Sequence, residues 1–382
     1  MIPYGRQCLD ENDIQAVVDV LRSDWLTTGP KVVEFEKAFA ELVGAKEAVA
    51  VSSGTAALHA AMHALGIGPG DEVILPAMTF VATANSVVFQ GGTPIFADVD
   101  PDTLLLDPNQ AKAKITKNTK AIICVDYAGQ PCDYDAFRKI AKKDGLGLVD
   151  DACHALGAAY KGDPVGSLAD LNVFSFHPVK HITTGEGGMV TTDDSELAER
   201  MRVFRNHGIT ADHHQRELQG SWYYEMVDLG YNYRMTDFQC ALGLSQLRKL
   251  KKWVERRQEI AQRYHEAFAG MQGLEPLGLR NNVSHAYHLY VVRIDLDHLR
   301  VSRETFFKAL RDEGIGVNVH YIPVNLHPFY RERFSTGPGI CPVAETMYER
   351  LISLPIYPAM SDTDLDTVIK AVKKVVERYR SD

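Results

Sequence analysis

Long apolar runs, a leader-like start and a strongly basic segment are all missing from this 382-residue sequence. No run of about eighteen consecutive apolar residues occurs, so we expect no membrane-spanning helix and no membrane partner. Residues 1–6 contain no basic segment followed by an apolar one, so no signal peptide is expected. The net charge is −9, and the basic run at residues 248–252 has acidic neighbours, so we interpret that run as a solvated helix face. Nucleic acid is therefore not an expected partner.

Paired cysteines are missing as well. In a chain of this length, scattered cysteines favour free thiols in a reducing cytoplasm over a disulfide framework or a zinc site. His59 and His63 have metal-binding spacing on a predicted helix, but no third ligand accompanies them, so a packing role is favoured and no metal is expected. His213 and His214 are expected in a solvent-facing loop. The six cysteines, none in a C-x-x-C pair, are Cys8, Cys124, Cys132, Cys153, Cys240 and Cys341.

The composition is that of an ordinary globular protein, with 45% hydrophobic and 24% charged residues. In the first half of the chain, short β-prone segments alternate with amphipathic helical segments. Such alternation predicts crossover connections and a mostly parallel sheet, and so an α/β fold. The predicted strands are residues 48–51, 72–75, 94–97, 121–125 and 146–149, separated mainly by helices of about ten residues.

The pattern changes after residue 180. Charged helices are predicted at 195–206 and from Thr236 through about Phe268, followed by a strand at 287–294 and a terminal helix at 362–378. We therefore expect a large domain over residues 1–250, containing the mixed sheet and the N-terminal helices. A smaller C-terminal α+β domain is expected over residues 251–382.

Lys180 is the most informative residue in the sequence. It follows a short β-prone stretch at 174–176 and precedes a turn rich in glycine and threonine at 183–188. An amine in such a setting can form a Schiff base with an aldehyde cofactor if it loses its proton near neutral pH. Lys180 is therefore the candidate for holding pyridoxal 5′-phosphate (PLP) and then acting as general base.

An apolar strand at 146–149 runs into two carboxylates, Asp150 and Asp151. Ligand sites of open α/β sheets lie beyond the carboxyl ends of the strands, where these acids fall. Successive side chains of a strand point to opposite faces, so one of the two can face a given pocket. A carboxylate beside the ring nitrogen of PLP keeps that nitrogen protonated and lets the ring withdraw electrons.

The run Ser52-Ser53-Gly54-Thr55 ends a β-prone segment and opens a helix. Free backbone N–H groups at a helix N-terminus bind phosphate, and Gly54 would let the backbone approach closely. An N-cap without a ligand is the favoured interpretation of this run taken alone. Ser175 could add a hydroxyl to the same phosphate.

Three motifs in combination resemble the DegT-type nucleotide-sugar aminotransferases, which are PLP enzymes of the type I (aspartate aminotransferase) fold. They are Ser-Gly-Thr at 53–55, Asp-Asp-Ala-x-His at 150–154, and Ser-Phe-x-x-x-Lys-x-x-x-x-Gly-Glu-Gly-Gly at 175–188. The resemblance covers essentially the whole chain. A subgroup of sugar 3-dehydratases has histidine in place of the lysine; here Lys180 is present and His181 follows it, which favours transamination.

The resemblance implies a set of site residues. It makes Lys180 and Asp151 the catalytic residues and implies a homodimer with shared active sites, in which the neighbouring subunit lends Asn232 to the phosphate. The sequence has Asp150 where the family usually has glutamate, and Cys153 replaces a small residue. By the resemblance, the cofactor contacts Gly54, Thr55, Phe80, Asp151, His154, Ser175, Lys180 and Asn232. The substrate contacts Tyr4, Asp24, Trp25, Leu26, Thr27, Ser53, Ser175, Asn232, His320, Tyr321, Ile322 and Pro323.

Within the family, residues 125–129, 174–188 and 222–226 look most like the members that serve pseudaminic acid biosynthesis. The implied reaction aminates UDP-2-acetamido-2,6-dideoxy-β-L-arabino-hex-4-ulose, a UDP-4-keto-6-deoxy sugar. L-Glutamate is the amino donor, and the products are UDP-4-amino-4,6-dideoxy-N-acetyl-β-L-altrosamine and 2-oxoglutarate. The aromatic residues at 222–224 suit either a nucleotide-sugar site or a dimer interface.

Two alternatives stay open at this level. One is amination of another nucleotide ketosugar, of the perosamine or aminoarabinose type. The other is a non-enzymatic regulator that binds DNA, which the acidic charge disfavours.

Overall fold

A seven-stranded sheet forms the centre of the molecule, in a computed structural model that describes residues 1–211, 216 and 220–380. His213 and His214 fall outside these residues. The strand order is β1-β9-β8-β5-β4-β2-β3. The strands are β1 Glu47–Val51, β2 Glu72–Pro76, β3 Thr93–Ala97, β4 Thr119–Val125, β5 Gly147–Asp151, β8 Leu171–Ser175 and β9 Gly188–Thr192.

Most neighbours in this sheet are parallel. β5 pairs in parallel with β4 and β8, and β2 pairs in parallel with β3 and β4. β9 is antiparallel to both β8 and β1. The inner strands are almost entirely buried. Their uninterrupted apolar runs are typical of a sheet that is covered on both faces. The predicted mostly parallel mixed sheet is therefore confirmed.

Helices cover this sheet and fill the C-terminal part. α3 contacts β8 and β9, α6 contacts β4 and β5, and α4 contacts β2 and β3. The bounds are α1 Glu11–Leu21, α2 Pro30–Val43, α3 Gly54–Ala64, α4 Val81–Phe89, α5 Pro108–Ala113, α6 Tyr134–Asp144, α7 Ser195–Phe204, α8 Asp237–Leu247, α9 Leu250–Phe268, α10 Leu296–Leu299, α11 Arg303–Asp312, α12 Pro328–Phe334, α13 Pro342–Tyr348 and α14 Asp362–Tyr379.

One predicted helix proves to be two. The continuous helix expected from Thr236 to about Phe268 is interrupted between α8 and α9. At the break, Lys249 forms ion pairs with Asp10 at 2.5 Å and with Asp13 at 2.8 Å, both at the start of α1. These are long-range contacts, so the local helical pattern of the sequence gave no sign of them.

A second sheet lies in the C-terminal part, with the order β10-β12-β13 and antiparallel pairing. Its strands, together with α9, α11 and α14, supply a hydrophobic cluster distinct from the one around the large sheet. A domain division at residue 250 stays a prediction. The remaining strands are β6 Ala159–Tyr160, β7 Asp163–Pro164, β10 Leu274–Pro276, β11 Val283–Ser284, β12 Tyr290–Ile294 and β13 Leu351–Leu354.

Within the part of the chain that the structure describes, no helix is both long enough and apolar enough to cross a membrane.

Candidate active site

A cavity of about 500 Å³ opens at the carboxyl ends of three neighbouring parallel strands. The last residues of those strands, Val125 of β4, Asp151 of β5 and Ser175 of β8, all line it. This is where open α/β sheets place their ligand sites, because the connections to the flanking helices leave a crevice there. The sheet therefore brings the acidic motif at 150–151 and the motif that contains Lys180 together at this cavity.

Lys180 lies in the wall of this cavity, in the loop that follows β8. Its backbone N–H donates to the carbonyl oxygen of His177 at 2.9 Å, which closes a tight turn. Burial lowers the pKa of the Lys180 amine below its usual value, while Cys153 and Asp151 oppose this effect. A lowered pKa increases the fraction of neutral amine, which is the form that attacks an aldehyde.

Asp151 is the one of the two adjacent acids that faces the cavity. Its Oδ2 accepts a hydrogen bond of 2.7 Å from Thr83 Oγ1, and its Oδ1 accepts one of 3.3 Å from the Cys153 N–H. Thr83 is held in turn by Thr79, with 2.8 Å between the hydroxyl oxygens. Asp150 points to the opposite face of the strand and contacts Tyr134 there. Asp151, the acid that the resemblance implies, is therefore the one of the two that lines the cavity.

Ser53, Gly54 and Thr55 begin α3 at another wall of the cavity, beside Ser175. Ser53 Oγ accepts from the N–H of Ala56 at 3.0 Å, so it is an N-cap whether or not a ligand binds. A Cβ on Gly54 would lie 2.8 Å from the Cβ of Ser175, so this close approach requires glycine. The arrangement leaves the N-terminus of α3 open to an anion.

His154 is buried in the cavity wall with one ring nitrogen unused. Its Nε2 lies 3.1 Å from the hydroxyl oxygen of Tyr321, whereas Nδ1 has no hydrogen-bond partner among the residues the structure describes. Burial, with Lys180 nearby, lowers the pKa of His154 well below 6.5, so the ring is neutral at physiological pH. A buried nitrogen without a partner is costly, and a polar atom of a bound cofactor would satisfy it.

Phe80 forms the outer edge of the cavity. It is the N-cap residue of α4, its side chain is half exposed, and its ring centroid lies 5.8 Å from that of Tyr321. An exposed aromatic face beside a lysine and an acid is a suitable surface for stacking a flat ring.

Several residues of the cavity wall were not anticipated from the sequence. Thr79 and Thr83 orient Asp151, and the ring of His288 lies 4.4 Å from that of His154. His177 and Asn318 also line the cavity. The two threonines stand in the mostly apolar stretch directly after β2, so only their position at the carboxyl end of a strand was a signal for them. No comparable local signal marks His288, which is brought in by β12 and its neighbouring loop.

The predicted site residues fall into two groups. Asn232 and Thr27 lie outside the cavity of their own chain. Asn232 is exposed and forms a β-bridge with Asn206, and Thr27 forms one with Thr236. The predicted residues that line the cavity are Tyr4, Ser53, Gly54, Thr55, Phe80, Asp151, His154, Ser175, Lys180, His320 and Tyr321. Those absent from its wall are Asp24, Trp25, Leu26, Thr27, Asn232, Ile322 and Pro323.

The residues that line the cavity fit PLP. They offer an amine of lowered pKa, a carboxylate fixed by a threonine, an unused histidine nitrogen and an open helix N-terminus. The model of the DegT/DnrJ/EryC1/StrS aminotransferase family matches residues 7–373. The chain belongs to this family.

Individual relatives agree with this assignment. The chain is 47% identical over 378 residues to the spore coat polysaccharide biosynthesis protein SpsC of Bacillus subtilis, covering 98% of this chain and 97% of SpsC. The structure of Spr1654 from Streptococcus pneumoniae in its PMP form is similar with a TM-score of 0.94 and 36% identity, covering 99% of this chain and all of Spr1654. Helicobacter pylori PseC, an aminotransferase involved in pseudaminic acid biosynthesis, has a TM-score of 0.92 and 34% identity, with 99% and 100% coverage.

These similarities settle the class of the enzyme. This member of the DegT/DnrJ/EryC1/StrS family is a PLP-dependent sugar aminotransferase with the type I fold. Spr1654 is known in both a PLP form and a PMP form, the two states between which an aminotransferase cofactor alternates. The alternative of a regulator without enzymatic activity is not supported, because the family and its solved members are aminotransferases.

Proposed function

We propose that the enzyme transfers the amino group of L-glutamate to the C4 carbonyl of UDP-2-acetamido-2,6-dideoxy-β-L-arabino-hex-4-ulose. The products are UDP-4-amino-4,6-dideoxy-N-acetyl-β-L-altrosamine and 2-oxoglutarate, and the pathway served is pseudaminic acid biosynthesis. The similarity to H. pylori PseC along the full chain carries this proposal. The cytoplasmic location expected from the free cysteines stays a prediction.

The bound PLP supplies an aldehyde carbon that takes up the amino group and a ring that withdraws electrons from the carbon losing its proton. We assign Lys180 the transfer of that proton: its Nζ would take it from one carbon and return it to another as general base and acid. Asp151, held by Thr83, would keep a proton on the ring nitrogen. The N-terminus of α3 with Ser175 would hold the phosphate, and Phe80 would offer an aromatic surface to the ring.

Tyr4, His320 and Tyr321 close the cavity opposite the strand ends and are the proposed contacts for the sugar. Tyr4 and His320 lie side by side, with 5.5 Å between ring centroids, and His320 Nδ1 is 2.8 Å from Ser353 Oγ. Burial lowers the pKa of His320 to about 4, so it is a neutral hydrogen-bonding group. Neutral donors and acceptors suit the hydroxyl, carbonyl and amide groups of an N-acetyl ketosugar.

A panel of nucleotide ketosugars tests the choice of substrate. With L-glutamate as donor, we expect kcat/KM for the proposed UDP-sugar to exceed that for dTDP- and GDP-linked 4-ketosugars by at least about tenfold, since a site built for one pattern of polar groups leaves groups unpaired with another. Initial rates of 2-oxoglutarate release measure this. Turnover of a dTDP- or GDP-sugar alone would remove the UDP-sugar proposal, and turnover of a GDP-sugar alone would support the perosamine-type alternative.

We further propose a homodimer with shared active sites. Asn232 and residues 24–27 lie outside the cavity of their own chain, and the side chain of Asn232 is exposed. The segment just before Asn232 is markedly apolar yet exposed, with Trp222 84% and Leu229 66% exposed. A continuous exposed apolar surface of this kind marks a protein interface.

A complementation experiment distinguishes a shared site from a self-contained one. Lys180→Ala and Asn232→Ala are each expected to be strongly impaired, while a mixture refolded together regains activity. In a mixed dimer one site then combines Lys180 of one chain with Asn232 of the other, so we expect up to about half of the wild-type activity per mixed dimer. If Asn232 acts within its own chain, the mixture will be no more active than the separate variants.

A further inference from the structure

Two buried acids behind the active site share one hydroxyl group. The Tyr134 hydroxyl oxygen lies 2.7 Å from Asp126 Oδ2 and 2.6 Å from Asp150 Oδ2. Tyr134 is the first residue of α6, Asp126 follows β4, and Asp150 is on β5, directly before Asp151. All three side chains are fully buried, each with 0% exposure. None of them lines the cavity, so the proposed reaction does not yet use them.

The number of protons in this arrangement follows from the hydrogen bonds. A neutral tyrosine hydroxyl has one proton and can donate to one carboxylate at a time. The second carboxyl group, at the same short distance, must then donate its own proton to the tyrosine oxygen. At least one of the two acids is therefore protonated when both hydrogen bonds are present.

The surroundings give no reason for both acids to ionise. The other titratable groups that face them are Cys124, Cys132 and Asp151, which are neutral or acidic. Asp126 Oδ1 accepts from the backbone N–H of Cys132 at 2.8 Å, whereas Asp150 Oδ1 has no partner among the described residues. Two uncompensated charges on fully buried side chains would carry a large desolvation cost.

The network is joined directly to Asp151. Asp150 precedes Asp151 on β5, and the backbone N–H of Asp126 donates to the carbonyl oxygen of Asp151 at 3.2 Å. We propose that Asp126, Tyr134 and Asp150 are positioning residues that hold a proton behind Asp151. Because the two acids keep one proton between them at neutral pH, Asp151 faces one buried negative charge instead of two, and β5 is fixed where it delivers Asp151 to the cavity.

Burial supports this picture by raising the pKa of Asp126 to about 7 and the pKa of Asp150 well above its usual value. In the unfolded chain both acids ionise near pH 4. The folded state therefore keeps protons that the unfolded state loses, and its stability falls as the pH rises from about 4 to about 7. Replacing either acid by asparagine should remove part of this loss of stability with rising pH.

Infrared spectroscopy of the wild-type protein tests the proposal directly. At pH 7 we expect the C=O stretching band of a protonated carboxyl group, and we expect its frequency to change in both Asp126→Asn and Asp150→Asn, because each substitution alters the hydrogen bonds of the carboxyl group that keeps the proton. The melting temperature of each variant minus that of the wild type should increase as the pH rises from 5 to about 7.5. In the PLP-loaded enzyme, the pH titration of the visible spectrum should contain a step near pH 7 that Asp126→Asn lacks.

Asp98→Asn is the matched control. Asp98 is also a buried acid, but it accepts hydrogen bonds from the N–H groups of Val343 and Ala344 and lies away from the network. This variant should keep both the infrared band and the step in the visible titration. The proposal is overturned if the wild type has no protonated carboxyl band, or if the band is unchanged in both network variants. If Asp150→Asn does not fold, Asp126→Asn alone decides the matter.

Discussion

Lys180→Ala is expected to reduce the rate of transamination by at least about 10⁴-fold, because one substitution removes both the nucleophile and the general base. His154 and His320 are poor replacements, because burial lowers the pKa of each ring and each has one nitrogen engaged, with Tyr321 and with Ser353. Single-turnover kinetics with L-glutamate measure the loss. Borohydride treatment of the wild type should fix the cofactor to the peptide that carries Lys180.

Lys161→Ala controls for the loss of a lysine as such. Lys161 is exposed and pairs with Asp135 at the surface, so its replacement should leave the rate unchanged. The circular dichroism and melting temperature of Lys180→Ala should stay close to those of the wild type, since the removed charge was costly to bury. Transamination by Lys180→Ala at the parent rate would show that another group is the base.

Asp151→Asn is expected to lower kcat by roughly 10²- to 10³-fold, with a much smaller effect on cofactor affinity. The amide oxygen can still accept from Thr83, so the geometry is preserved, but a neutral amide cannot keep a proton on the ring nitrogen. Proton abstraction then becomes slower than the other steps. A larger primary isotope effect with L-glutamate deuterated at Cα is the diagnostic measurement.

Asp98→Asn is again the appropriate control and should retain the wild-type isotope effect, because Asp98 is a buried acid that does not line the cavity. The assignment of Asp151 fails if kcat of Asp151→Asn is unchanged. It fails equally if the whole loss can be recovered by adding more PLP, because Asp151 would then serve cofactor binding and not the withdrawal of electrons.

The parallel sheet and the position of the site were predictable because both depend on short-range patterns. Apolar runs of strand length indicated β4 and β5, and the helical segments between strands imposed the crossover connections. Once a parallel sheet is expected, residues at the ends of different strands must meet, so Asp151 and Ser175 could be placed together before any coordinates were known.

Other features had no local signal. The break between α8 and α9 accompanies the ion pairs of Lys249 with the start of α1, and His288 enters the cavity from the loop before β12. The choice between Asp150 and Asp151 depends on which face of β5 meets the crevice, which the alternation along a strand leaves open. Each of these was decided by partners distant in the sequence.

By itself, the sequence determined the chemistry of this protein: a lysine after a strand, two carboxylates after another, and a helix opening with Ser-Gly-Thr. It did so because catalytic groups sit in short motifs whose spacing the backbone fixes locally. Only the tertiary structure decided that Thr83 holds Asp151, that Tyr134 bridges two buried acids, and that Asn232 lies outside the cavity of its own chain. These arrangements depend on how helices and strands that are distant in the sequence pack against one another in the folded chain.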